Sequence, residues 1–334
     1  MRAVRRSIVL AMIAGLSITG WQPAMATETA DCAWTATDLP LPPGHTGGHV
    51  RGSRDSNSVV GAGFHNGYTG IVWRNGSPIA LPKWPDRNSE NYPNDISASG
   101  LVAGHRSTYT PTSYLDEPYV IGGDYTSYRW LPTPAGVSAR PVAMNDRGEI
   151  VGYSGESGAA HQILLWKQLG GHWTRKSLGP GNPVGIDEAG RVATDDGRII
   201  SPDGSTRYLE HVPGMDHPVV VSYENERVAG YRALENGAIS AIWDATGKLV
   251  SSSDQDFLFA RAANTKGTVL GTTLRARLET AVWRPGQPVQ TVADPRPEFA
   301  SLNLWYGTIT EDEKIIATYE TTEGDNQPAV WSCE

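Results

Sequence analysis

One short pattern recurs along the chain and limits what the chain can become. An apolar pair leads into a polar turn rich in Asn, Asp and Gly, and the apolar run that follows ends in Gly. The clearest copy is AMNDRGEIVG, Ala143 to Gly152. The others are RGSRDSNSVVGAG (Arg51 to Gly63), NDISASGLVAG (Asn94 to Gly104), VGIDEAGRVAT (Val184 to Thr194), VSYENERVAG (Val221 to Gly230), AANTKGTVLG (Ala262 to Gly271) and GTITEDEKIIA (Gly307 to Ala317). Asn and Asp tolerate left-handed backbone and Gly supplies positive φ without a Cβ clash, so each turn closes at little cost. Each copy therefore reads as a β-hairpin.

Every copy has a second half. A short strand ending in Trp follows after a variable gap: GIVWRNG (Trp73), ILLWKQLGG (Trp166), AIWDATG (Trp243), AVWRPG (Trp283) and AVWSC (Trp331). Copy two has YVIGGDYTSYRWLP in that place and copy four has GRIISPDG. A second turn and a short run such as SPIALP finish the unit. The unit is thus four strands in about 44 residues, the length of a propeller blade. No segment carries a helical period. A lone four-stranded sheet cannot bury both faces, whereas radially packed copies can. The expected fold is all-β: a seven-bladed β-propeller of four-stranded antiparallel blades.

The seventh copy stops at Trp331-Ser332-Cys333, before a fourth strand. CAWTATDLP, Cys32 to Pro40, ends in Leu-Pro as fourth strands do elsewhere, and is expected to complete the last blade. That places Cys32 beside Cys333. In an oxidising compartment the only two cysteines most simply pair with each other.

Residues 1–26 read as a signal peptide. Arg2, Arg5 and Arg6 precede the apolar run Ser7 to Gly20, and Ala24-Met25-Ala26 fits a cleavage site. Residues 27–334 are then one secreted domain. Removing three arginines takes the formal charge from −8 to about −11. That balance lacks the electrostatic footprint of a nucleic-acid binder, and no later run is long enough to span a membrane.

The units resemble the HAF-repeat group of extracellular bacterial proteins, whose repeat runs roughly A-x-x-I-N-D-x-G-x-I/V-V-G … A-x-x-W-x-x-G. Ala143 to Gly152 with Trp166, and Ala262 to Gly271 with Trp283, carry the likeness best. Copies four and seven depart from it. The resemblance implies a secreted β-propeller and no single activity.

No nucleophile elbow, zinc-protease helix or phosphate loop is present. The turn carboxylates come one or two to a loop, too few for calcium, and the eight histidines are scattered, so no metal or cofactor is expected. The strand-three tryptophans belong to the core. In this topology the gaps between strands two and three, and the links between blades, open at one end, and the tight turns open at the other. Functional variation is expected at the loop end. Its longest gap, in copy two, holds His105, Arg106, Tyr109, Tyr114 and Asp116. The link before it holds Trp84 and Tyr92, and the link before copy seven holds Trp305 and Tyr306. Aromatics with a polar handle, next to Arg and Asp, suit a glycan or a protein surface. The leading expectation is therefore a secreted non-catalytic binding protein, monomeric or part of a secreted complex. The alternative is a carbohydrate-active hydrolase or lyase, with Asp116, Glu117 and Asp124 as the first acids to consider.

Overall fold

Strand pairing follows the copies. The computed structural model describes residues 33–333, apart from 87, 111–112, 156–160, 225, 236, 254–258, 275–277 and 293–298; for 237, 274, 278 and 299–306 it describes the backbone alone. The chain opens with β1 (Trp34–Asp38). Copy one supplies β2 (Gly48–Asp55), β3 (Ser58–Phe64), β4 (Tyr68–Arg74) and β5 (Ser77–Ala80). Copy two supplies β6 (Ser89–Ile96), β7 (Val102–Tyr109), β8 (Tyr114–Ile121) and β9 (Tyr128–Trp130). Copy three supplies β10 (Ala139–Met144), β11 (Ile150–Ser154), β12 (Gln162–Leu169) and β13 (His172–Pro180). Copy four supplies β14 (Pro183–Ile186), β15 (Val192–Thr194), β16 (Arg198–Ile200) and β17 (Thr206–Tyr208). Copy five supplies β18 (Val219–Glu224), β19 (Arg227–Leu234), β20 (Gly237–Asp244) and β21 (Leu249–Ser252). Copy six supplies β22 (Phe259–Ala263), β23 (Val269–Leu274), β24 (Leu278–Trp283) and β25 (Gln290–Thr291). Copy seven supplies β26 (Phe299–Ile309), β27 (Ile315–Thr321) and β28 (Asn326–Cys333). Among the described residues every regular element is a strand.

Within a copy the four strands pair in order and antiparallel. The sheets of copies four and five touch through one parallel pairing, Gly185 opposite Tyr223. The last sheet runs β26-β27-β28-β1, with Trp34 opposite Cys333 and Asp38 opposite Ala329, so the N-terminal strand supplies the fourth strand that copy seven lacks. Cys32 lies outside the described residues.

Adjacent sheets share their cores. Val60 and Val72 of the first sheet pack with Ile96, Val102 and Tyr119 of the second. Ile316 of the last sheet packs with Val50, Val59 and Trp73 of the first. Each such side chain contributes about 1.5–3 kcal/mol when removed from water. Trp73, Trp166, Trp243 and Trp331 are fully buried. A buried indole N–H ordinarily needs an acceptor, which three of the four have and Trp331 lacks. Trp73 donates to the carbonyl of Pro40 at 2.7 Å, Trp166 to Pro132 at 2.8 Å and Trp243 to Glu210 at 2.8 Å. Each acceptor lies just past the outermost strand of the preceding sheet, next to the apolar residue that ends it. The tryptophan therefore ties its own sheet to the one before.

Two copies fill that place differently. Ile121 stands opposite Val102, and Ile200 opposite Val192, as Trp73 stands opposite Val59. The tryptophan of copy two is Trp130, on the outer strand β9 and 46% exposed.

The glycine that ends the second strand is set by close approach, not by φ. Each first strand carries a bulge, between Pro141 and Ala143 in β10. The bulge drives its backbone toward the second strand. A Cβ on Gly152 would collide with the carbonyl oxygen of Arg140 and lie 2.8 Å from the Trp166 ring.

The turn asparagine also serves two sheets. Asn145 accepts from the Glu149 N–H at 2.9 Å and donates to the Asp187 carbonyl of the next copy at 2.9 Å. Asn264 accepts from Thr268 N–H and donates to the Thr310 carbonyl, both at 3.0 Å.

These contacts set the stability of the units. Gly152→Ala should lower unfolding free energy by about 2–4 kcal/mol through overpacking. Gly122→Ala, where a Cβ meets only ordinary contact, should stay within about 0.5 kcal/mol. Urea denaturation of the two variants compares them directly.

Candidate functional site

The copy-two gap at the loop end is mostly strand. β7 runs to Tyr109 and β8 starts at Tyr114, so only residues 110–113 connect them. The alternation of His105 to Tyr109 against Tyr114 to Pro118 suits a two-faced hairpin, and this corrects the expectation of a long irregular loop.

Beside the hairpin lies an open cleft of about 770 Å³. Asn66 to Thr69 form one wall, the link from Lys83 to Asp86 with Asn88 to Asn91 forms another, and Tyr109 closes one side. Phe64, Tyr68, Tyr109 and Tyr114 are all exposed large side chains in this region. The Tyr68 ring is 5.8 Å from Phe64 and 5.5 Å from Tyr92. Tyr92 donates to Glu90 Oε2 at 2.5 Å, and burial together with that carboxylate raises its phenol pKa. The Trp84 ring stacks on Trp130 at 5.3 Å and lies 4.1 Å from Tyr128. Arg106 covers both tryptophans, at 5.4 and 5.3 Å, and pairs with Glu117 at 2.5 Å. The Trp84 indole N–H is buried and has no hydrogen-bond partner.

The structure thus brings Trp84, Tyr92, Arg106, Tyr109 and Tyr114 to one sector of the loop end. His105 and Asp116 do not join them at the surface. His105 is buried against Tyr92, its Nδ1–H donates to Asn94 Oδ1 at 2.8 Å, and burial holds its pKa well below the usual value. Asp116 is buried, accepts from Ser107 Oγ at 2.6 Å and pairs with Arg140 at 2.5 Å. Both point into the blade because alternate residues of a strand take opposite faces. Trp305 and Tyr306 lie on β26, and their side chains fall outside the described residues. Asp116, Glu117 and Asp124 do not converge: the first is in an ion pair, the second holds Arg106, and the third sits in the β8–β9 turn bonded to Thr126, at the opposite end of β8.

The sequence reading did not single out a second feature. The turn ends of the first strands surround a cavity of about 490 Å³. Its wall carries Asp95, Asp146, Asp187, Glu188, Glu224, Glu226 and Glu311 with Arg51, Arg54 and Arg261. Asp95 accepts the N–H of Ile96 at 2.8 Å and of Met144 at 2.7 Å. Glu224 accepts from Thr308 Oγ1 at 2.5 Å. Burial pushes the Asp95 carboxyl up to about 7, and the Glu224 charge adds to the rise while the two N–H donors and Arg54 oppose it. Burial raises Glu224 as well.

Asp95 was hidden by a misplaced turn. Asn94-Asp95 looks like the Asn-Asp of the repeat, but the turn of copy two is Ser97 to Gly100, closed by Gly100 N–H to the Ser97 carbonyl. Register instead puts Asp95 with Gly52, Ala143, Gly185, Ser222, Ala262 and Thr308. An aligned register, had it been known, would have exposed an aspartate among small residues. Among the described residues no group of three or more His, Cys, Asp and Glu is placed to hold a metal ion.

No family model matches the sequence, and no curated protein matches it. Solved structures do. Streptogramin B lyase superposes with a TM-score of 0.58 at 12% identity, over 90% of this chain and 98% of that one. A prolyl endopeptidase gives 0.52 at 12% identity, over 86% of this chain and 50% of that one. The β-propeller domain of the Trilobed protease from Pyrococcus furiosus gives 0.52 at 11% identity, over 73% and 82%. These likenesses identify the architecture as a β-propeller.

A carboxyl that holds its proton longer in the folded state gives stability a defined pH dependence. Unfolded, Asp95 loses its proton near 3.8; folded, near 7. Between these values the folded state binds more protons, so stability should fall as pH rises through that window. Melting temperatures across it should show this slope, and Asp95→Asn should flatten it.

Proposed function

We propose that this is a secreted, non-catalytic binding protein whose loop-end cleft holds a saccharide segment. The observation that carries the reading is the lining of the 770 Å³ cleft. Tyr68 and Tyr109 line it and are exposed, and the C–H face of a sugar stacks on such rings. Asp86, Asn88 and Glu90 offer acceptors to hydroxyls. Arg106, stacked on Trp84 and Trp130 and paired with Glu117, stiffens the wall, which lowers the ordering cost of binding. A hydrolase or lyase at this end lacks support from Asp116, Glu117 and Asp124, which serve other contacts.

The same reading takes the fold as a closed ring of seven blades of the HAF-repeat kind, exported by the N-terminal segment. Seven four-stranded units, the packing of Ile316 against Val50 and Val59, and the pairing of β1 with β28 support the closure. A Cys32–Cys333 bond fits the same design, since Cys333 stands opposite Trp34, two residues from Cys32.

Glycan-array screening followed by calorimetry tests the site. Tyr68→Ala and Tyr109→Ala should each weaken the best array ligand at least about tenfold, or about 1.4 kcal/mol, with unchanged circular dichroism. An array blank at high protein concentration, or binding indifferent to both substitutions, overturns the reading. The closing bond has its own test. Cys32→Ser should lower stability by about 5 kcal/mol, the chain-entropy value for so long a loop, measured by urea denaturation without reductant.

A further inference from the structure

We propose that the cavity at the tight-turn end is a second binding site, for an alkylammonium group seated between Asp95 and Glu224. Both residues line the same cavity of about 490 Å³, one from the sheet of copy two and the other from that of copy five.

Neither residue is what the repeat requires. Asp95 occupies a register position filled elsewhere by Gly, Ala, Ser and Thr. Neighbouring first strands come so close there that a Cβ on Gly52 would strike the Asn94 carbonyl, and one on Gly185 the Tyr223 carbonyl. Packing therefore selects small side chains, and the Asp95 carboxylate, which also accepts the Ile96 and Met144 N–H groups, departs from that choice. Glu224 occupies the place where Asn145 and Asn264 brace the following sheet. It bonds Thr308 of copy seven instead.

Two of the charged groups nearby are paired with partners other than Asp95 and Glu224. Arg54 is tied to Asp146, through Nε at 3.0 Å and Nη2 at 2.8 Å. Asp187 is tied to Arg191 at 2.6 Å and to the Tyr223 hydroxyl at 2.5 Å. Among the described residues neither Asp95 nor Glu224 forms a salt bridge with an arginine or lysine, and burial raises both carboxyls, so a cation between them relieves a real electrostatic cost.

A separate observation points the same way. Ser222 lines this cavity at the register position of Asp95, is only 4% exposed, and its hydroxyl has no hydrogen-bond partner. Buried hydroxyls are ordinarily bonded. An ammonium carries three N–H donors, and Asp95, Glu224 and Ser222 offer three acceptors. The group arrives either as a free small amine or as a lysine side chain of a partner.

Titration of the full chain with n-butylammonium and with N-acetyl-lysine methylamide, followed by calorimetry at about pH 8, tests this. Saturable binding of either probe is expected, weakened at least about tenfold by Glu224→Gln and by Asp95→Asn and less by Ser222→Ala. Binding of butylammonium alone assigns a free amine, and binding of both admits a side chain. Ser222→Ala removes one hydroxyl and serves as the readout should either carboxylate variant fail to fold. Tyr109→Ala should leave amine binding intact, so the test stands whether or not the loop-end cleft takes a saccharide. No saturable binding of either probe up to about 10 mM, or binding unaffected by all three cavity substitutions, overturns the proposal.

Discussion

A sheet of four short strands has two apolar faces, and each must be covered by another sheet. The buried tryptophan is where that constraint becomes specific. Hydrophobic burial alone would let neighbouring sheets slide, because it is non-directional. The indole N–H cannot slide: left unbonded in the core it costs about 1–3 kcal/mol. Its acceptor in three copies is the carbonyl just past the preceding sheet's last strand, at Pro40, Pro132 and Glu210. The bulge and the second-strand glycine follow from the same crowding. The ring of Trp166 and the Arg140 backbone both come down on Gly152, so nothing larger fits.

Much of this was legible from residue order, because turn chemistry and strand alternation are local. The units, their four-strand content and the place of the N-terminal strand in the last sheet could all be read before any coordinates. The errors came where a local signal had two physical meanings. Asn94-Asp95 has turn composition, yet the true turn is the less distinctive Ser97-Ala98-Ser99-Gly100, and the pair lies in β6. Trp130, in the stretch where copy two departs from the pattern, is an outer-strand residue, because Ile121 already fills the core place. Nothing in the sequence announces that the Asn145 amide will reach the next copy, since that bond spans 42 residues.

The candidate sites divide in the same way. Residue type marked the loop-end aromatics, and Trp84, Tyr92, Arg106, Tyr109 and Tyr114 do gather there. Facing direction was not legible, and it sends His105 and Asp116 inward. The acids of the turn-end cavity were invisible for a different reason. Asp95 and Glu224 are ordinary residues in their own copies. They become unusual only when each is compared with its register partners in other sheets, which requires knowing where every bulge falls.

The two ends of the molecule are built for different tasks. At the turn end the connections are knitted together across copies. Arg54 of copy one reaches Asp146 of copy three, whose Oδ1 also accepts the Ala98 N–H of copy two at 2.8 Å, and the Asp146 N–H donates to Glu188 of copy four at 2.9 Å. A single exposed ion pair contributes little, but linked bonds constrain one another. Four turns held in this way fix the cavity wall and keep Asp95 where its desolvation is not relieved by movement. At the loop end the hairpins of copies one and two meet through rings, such as Tyr68 with Tyr92, more than through such links. The loop-end surface can vary in sequence without disturbing the contacts of the core, whereas a change at the turn end is transmitted to its neighbours.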